Sequence, residues 1–332
     1  MTAATPKPAA EAVIEAFRNE RLRTGLRCPH CASTAVIRWG SFRGRCRYRC
    51  KTCRHTFSDL TGTAVAKLKR IDLWRSFCMG VEKTETLRAG ARRLGVHLST
   101  TFRWRRRLLG SLRKTDRTRL GGEVTIGTSF LKYSEKGSRS ARPAPPPRPE
   151  AWMFGFLAVR LVIACGEGGA VVTEPVGLRR PTLLDLGRII LPRLDAAATL
   201  VSREGRFGSV AALAAGMKRR WRQVGPSGLQ HPGGSPAHAY AWRFRRWLRR
   251  FRGVATRYLP GYLAWHRCDE LVARSRFALL DDLILGRYPG SAAFEGAVDR
   301  HAAARPLQRP QEPRLGSSAA PETSRSTSSS LV

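Results

Sequence analysis

Cys28-Pro-His-Cys31 and Cys50-Lys-Thr-Cys53 are two C-x2-C pairs separated by 18 residues. Such a pair turns the chain so that two thiolates point at one centre. Two pairs complete a tetrahedral sulfur shell suited to Zn2+. A redox pair and a chance grouping are the competing readings, and four ligands at this spacing favour the metal. Cys46 reads as a strand residue. His30 and His55 are alternative ligands or solvent-facing residues of the pairs, and Phe57 is placed to cover the site. A closed shell leaves no open position for substrate, so Cys28, Cys31, Cys50 and Cys53 are expected to hold a structural zinc that folds the module. Cys78, Cys165 and Cys268 stand apart, unlike a disulfide framework, which points to a reducing compartment.

Charge narrows the partners. The 332 residues carry 60 Lys+Arg against 24 Asp+Glu, a formal net charge of +36, and Arg supplies most of it. A GC-rich coding sequence would also raise Arg, together with Ala, Gly and Pro. A metabolic enzyme with such a surface would gather nucleic acid, so a polyanion is the expected partner. Guanidinium forks suit phosphate oxygens. The opening residues lack an apolar core, and the longest apolar run, Ala151 to Cys165, is interrupted by Arg160. Neither a secretion signal nor a membrane span is expected; a cytoplasmic, nucleoid-associated protein is.

Two stretches look suited to DNA. Thr86 to Gly95 followed by Val96 to Leu108 has helix-turn-helix logic, with Gly95 at the turn and Ser99 or Thr100 as the second cap. An inward stripe of Phe102, Leu109 and Leu112 would leave Thr100, Thr101, Arg103, Arg105 and Arg107 facing DNA. The second stretch, Ala237 to Arg252, places Phe244, Trp247, Leu248 and Phe251 on one helical face. Arg243, Arg246, Arg249 and Arg250 then line the other, free of acids in the segment itself, and are expected on phosphates.

The elements that must position these residues follow from pattern. A helix is expected over 10–24, a zinc ribbon over 26–60 and a helical DNA-binding segment over 70–118. After Gly121-Gly122 the order is strand (124–131), Pro-rich loop (137–150), strands (153–165 and 169–176), helix (181–194), strand (199–202), helix (209–221), loop (225–236) and the basic helix. That series suits an α/β domain with a mixed sheet over 121–295, preceded by a linker at 1–25 and followed by a disordered tail at 296–332.

Three motifs now stand in order: the ribbon with Tyr48-Arg-Cys-Lys-Thr-Cys53, then Ser134-Glu-Lys-Gly-Ser-Arg139, then Trp247 to Arg267, which contains Arg-Phe-Arg-Gly-Val-Ala-Thr. Over residues 26–268 the chain resembles the zinc-ribbon insertion-sequence transposases that carry an ISXO-type, DDE-class catalytic domain. The resemblance implies a ribonuclease-H-like fold and DNA cutting and joining by two divalent ions, Mg2+ or Mn2+, held by carboxylates. The chain departs from the family at each ligand position. Gly127 stands where the first aspartate belongs. Ser202-Arg203-Glu204-Gly205 replaces Ser-Asp-Gly, and His238 falls at the late-helix position. Glu123 and Glu135 lie near in sequence but are poorly placed to substitute. The expectation is a transposase-like DNA-binding protein of an insertion sequence with no catalytic residues assigned. Its partner is the element's DNA ends, with room for a homo-oligomer on them. Alternatives are an active transposase with displaced ligands, such as Glu204 and His238, and a zinc-ribbon transcriptional regulator.

Overall fold

The computed structural model describes residues 7–42, 44–136, 152–153, 156–203, 221–224, 235–275 and 279–287. The Pro-rich loop, all but the last residue of the helix expected over 209–221, most of the 225–236 loop, Gly137 to Arg139, Glu204, Gly205 and the tail lie outside them.

The chain opens with helix α1 (Lys7–Arg23), then a three-stranded antiparallel sheet of β1 (Val36–Phe42), β2 (Arg45–Cys50) and β3 (Thr56–Ser58). Helices α2 (Trp74–Glu82), α3 (Leu87–Leu94) and α4 (Leu98–Thr115) follow. The large sheet is built from β4 (Glu123–Lys132), β6 (Phe156–Cys165), β7 (Val171–Gly177), β8 (Thr199–Arg203) and β9 (Trp221–Val224). A two-residue β5 (Trp152–Met153) pairs with the start of β6. Helix α5 (Leu183–Ile190) joins β7 to β8, and α6 (Pro236–Leu248), α7 (Leu259–Ser275) and α8 (Leu279–Leu285) complete the described chain.

The strands lie in the order β7-β6-β4-β8-β9. β4, β6 and β7 pair antiparallel, whereas β8 and β9 run parallel to β4. Strand alternation divides two cores. Val124 and Ile126 of β4 and Val162 and Ala164 of β6 face α5, where Leu186 and Ile190 wait. Leu161 and Ile163 face the other way, into a core shared with α1, α2, α4, α6, α7 and α8. The helices of the 71–115 stretch therefore share one packed interior with half of the sheet.

Trp221 belongs to a strand, not to the end of a helix. Its four-residue run is too short to show a period, and only pairing with β8 fixes it. The last described helix, which no pattern in the sequence marks, is α8: it docks on α2, where Trp74 donates its indole N–H to the Ile284 carbonyl at 2.8 Å.

A buried ion pair ties the parts together. Arg267 of α7 donates to Asp116, at the end of α4, at 2.9 Å, and the two side chains are 3% and 2% exposed. The same carboxylate accepts the Thr118 N–H and hydroxyl, at 2.9 and 2.7 Å. Burial works to raise its pKa, but Arg267, Thr118 and Arg193 outweigh that and leave it lowered. Its contribution to stability is thus present at neutral pH and lost as pH falls through that lowered value. Asp116→Ala, which strands a buried guanidinium, is expected to cost about 3–5 kcal/mol in urea denaturation.

Candidate metal centre and nucleic-acid interface

The two cysteine pairs are local copies of one turn. Cys28 N–H donates to the Ser33 carbonyl at 2.9 Å, and Cys50 N–H to the His55 carbonyl at 3.0 Å. The residue after each second cysteine, Ala32 and Arg54, takes a left-handed conformation with φ of 61° and 59°. The turns bring all four Sγ atoms within 4.8 Å of one another. Cys28 to Cys53 and Cys31 to Cys50 each measure 3.6 Å. Zinc at a zinc–sulfur length of about 2.3 Å sets tetrahedral sulfurs about 3.8 Å apart, so the four cysteines could hold a metal ion such as zinc.

Their electrostatics point the same way. Cys50 is lowered to about 6, chiefly by the Cys53 N–H aimed at its sulfur. Cys53 is pushed up to about 12: the His55 N–H opposes the rise, but burial and the facing thiols of Cys31, Cys28 and Cys50 outweigh it. Thiols this close cannot all ionise unless a cation stands between them. Cys46 stays in β2 with its N–H on Asp59 at 2.9 Å. His30 and His55 stack on each other at 4.7 Å, outside the sulfur cluster.

The module around the cluster is small. Cys28, Tyr48, Cys50 and Phe57 form its buried interior, far too little apolar surface to fold alone. Asp59, missed in the sequence, supplies the other tie. It is fully buried, accepts from the Tyr48 hydroxyl at 2.9 Å, and pairs with Arg18 of α1 at 3.3 Å.

Gly95 closes α3 in the left-handed conformation, φ 61° and ψ 35°. His97, not Ser99 or Thr100, caps α4, accepting the Ser99 N–H through its ring. The inward stripe of α4 is Thr101, Trp104, Arg105, Leu108, Leu109 and Leu112. Trp104 sets its phase by packing against Trp74 and Phe77, whereas Phe102 is half-buried edge-on to Tyr258. That rotation turns inward two residues expected on the outer, DNA-facing side of α4. Thr101 is buried and donates to the Leu98 carbonyl at 2.9 Å. Arg105 is 4% exposed, donates to the Glu85 carbonyl at 2.6 Å and lies over Phe251 and Trp265. Arg103 and Arg107 are exposed and Thr100 half-buried.

On α6 the buried face is Ala237, Tyr240, Ala241, Phe244 and Trp247, with Leu248 and Phe251 only partly covered. Arg243 is also corrected: it ion-pairs with Glu270 of α7, an acid that its own segment does not contain. Arg246, Arg249 and Arg250 are exposed. Arg245 reaches back to the Ser129 hydroxyl at 2.8 Å and the Phe130 carbonyl at 2.9 Å, holding α6 on β4.

At that crossing sits Gly127. A Cβ on it would stand 2.7 Å from the Ala237 Cβ, closer than side chains pack. His238 is exposed and its Nδ1 lies 3.2 Å from the hydroxyl of Ser235, the α6 cap. Arg203 ends β8. Among the described residues, the four cysteines are the one cluster of three or more metal-ligating side chains. No described helix is long and apolar enough to cross a membrane.

No protein-family model matches the chain. Over 127 residues, 37% of its length, it is 35% identical to an uncharacterised protein in the transposable element ISH50 of Halobacterium salinarum. The chain is similar to an insertion-element protein. It spans 42% of that relative's length. Among solved structures, the Mos1 strand transfer complex overlaps 60% of this chain and 76% of its own, with a TM-score of 0.25 and 13% identity. A pre-cleavage Mos1 transpososome overlaps 69% and 78%, with a TM-score of 0.26 and 12% identity.

Two outcomes follow from this geometry. Purified protein is expected to hold zinc that Cys50→Ser abolishes, and to release it as pH falls because protons compete for the sulfurs, as metal analysis after dialysis would register. Gly127→Asp is expected to destabilise the fold by about 1–3 kcal/mol through overpacking, read as a lowered urea midpoint.

Proposed function

We propose that the protein binds DNA of an insertion element on a transposase scaffold whose catalytic metal site has been lost. Its parts are a zinc ribbon at 26–60, a helix-turn-helix formed by α3 and α4, and a ribonuclease-H-like sheet domain. The β7-β6-β4-β8-β9 order, three strands antiparallel and two parallel, supports the last of these. Similarity to a protein of a transposable element supports the setting. Zinc is structural in this reading. DNA is the partner, gripped by exposed residues that include Arg103, Arg107, Arg246, Arg249 and Arg250, with Thr100 beside them.

The observation that carries the loss of chemistry is the packing at Gly127. In the resemblance this position holds the first metal-binding carboxylate. Here it has no side chain, and Ala237 occupies the space that one would need. Two-metal phosphoryl chemistry requires carboxylates to hold both ions in line with the phosphorus, and among the described residues no carboxylate belongs to a metal-ligating cluster.

The test uses duplexes carrying the element's terminal repeats. Binding is expected, with affinity falling steeply as salt rises because released counterions drive it. No strand cleavage or joining is expected with Mg2+ or Mn2+. A metal-dependent product would overturn the loss of catalysis, and failure to bind any duplex at low salt would overturn the DNA reading.

A further inference from the structure

The motif Ser134-Glu-Lys136 and the segment Arg250 to Tyr258 lie more than a hundred residues apart, and the metal-site reading leaves both without a task. The structure stitches them together. Ser134 N–H donates to the Thr256 hydroxyl at 3.0 Å, and Thr256 N–H to the Ser134 carbonyl at 2.8 Å. Lys136 Nζ donates to the Arg252 carbonyl at 2.8 Å. That contact holds a sharp reversal in which Arg252 is left-handed, φ 50° and ψ 39°, and Gly253 follows at φ 96°. A side chain other than glycine in this region costs about 1 kcal/mol or more, and such outliers gather at working sites.

The joined segments form one wall of a cleft of about 780 Å3, and α3 with the start of α4 forms the other. Arg88, Arg92, Lys136, Arg250, Arg252 and Arg257 line it, all exposed, and among the described residues no acidic one does. None of the six makes an ion pair among the described residues. The floor is apolar and aromatic, with Phe102, Tyr258 and Tyr262. Arg105 also lines it. This guanidinium is 4% exposed and makes no ion pair among the described residues, although the Glu85 carboxylate acts on its charge from nearby, and its Nε has no hydrogen-bond acceptor there. The other deeply buried arginine, Arg267, has Asp116. A buried cation with no carboxylate in direct contact is costly, and an anion seated in the cleft would offset that cost.

We propose that this cleft is a DNA-backbone site, with phosphates on the six-cation rim and sugar or base edges on the aromatic floor. The proposal rests on the DNA-binding reading above and extends it from the outer faces of α4 and α6, through the shared Arg250, into the cleft between them. A groove of cations over aromatic rings is the arrangement that tracks a nucleic-acid strand.

The experiment measures binding of a labelled terminal-repeat duplex to the full chain by fluorescence anisotropy across a salt series. Arg88→Glu with Arg257→Glu is compared with Arg117→Glu and Arg180→Glu, exposed positions that do not line the cleft. Arg92→Glu with Lys136→Glu is an independent second cleft pair, and thermal melting checks that each variant folds. Each cleft pair is expected to weaken binding roughly tenfold or more and to reduce the salt slope by about 2, since each phosphate contact contributes about 0.9. The control pair is expected to leave the slope near wild type. Equal behaviour of cleft and control pairs overturns the cleft while leaving DNA binding intact. An RNA of the same length displacing the duplex at lower concentration overturns the assignment to DNA. No binding by the wild type defeats the underlying reading itself.

Discussion

The Asp116–Arg267 pair is the constraint around which the rest is arranged. It sits where α4 ends and the path to the large sheet begins, and Arg267 reaches it from the middle of α7. A charge pair so deeply buried gains little over a well-packed apolar substitute, but it tolerates no misalignment. It therefore fixes the angle between α4 and α7. Gly261 confirms how close that approach is: a Cβ there would stand 3.0 Å from the Leu109 Cβ. With α4 and α7 locked, α6 and the sheet beneath it have one place to go.

The legible parts of this protein were those whose chemistry is local in sequence. The cysteine turns are short, self-contained and repeated, so their spacing alone indicated a shared centre, and the sulfurs do converge. The β-like stretch of β4 and the apolar run of β6 were equally legible. The helix α4 shows where such reasoning gives out. Its hydrophobic pattern admits two phases a few tens of degrees apart, and only the partners Trp74 and Phe77 choose between them. That choice moves Arg105 from the surface to the interior. β9 was illegible because four residues carry no period, and Glu270 because a counter-ion can come from any element that folds nearby.

Charge is the feature that looks different once the fold is known. Part of the arginine content is spent inside the fold, although 60 basic against 24 acidic residues leaves a large unpaired surplus. Arg18, Arg193, Arg243 and Arg267 are committed to carboxylates, and Arg245 is committed to the backbone and a hydroxyl of β4. These five are internal mortar. Among the described residues, exposed cations remain on the outer helix faces and around the turn at Arg252, as well as on other surfaces.

The contact between Gly127 and Ala237 bears on how such a chain can change over generations. Glycine and aspartate differ by one base in the codon, so the mutation itself is easily reached. Its product would have to push α6 off the sheet, against the Arg245 contacts that hold it there. A side chain at 127 accordingly requires a prior or simultaneous change at 237 or beyond. Close packing makes the residue allowed at one of these positions depend on the other.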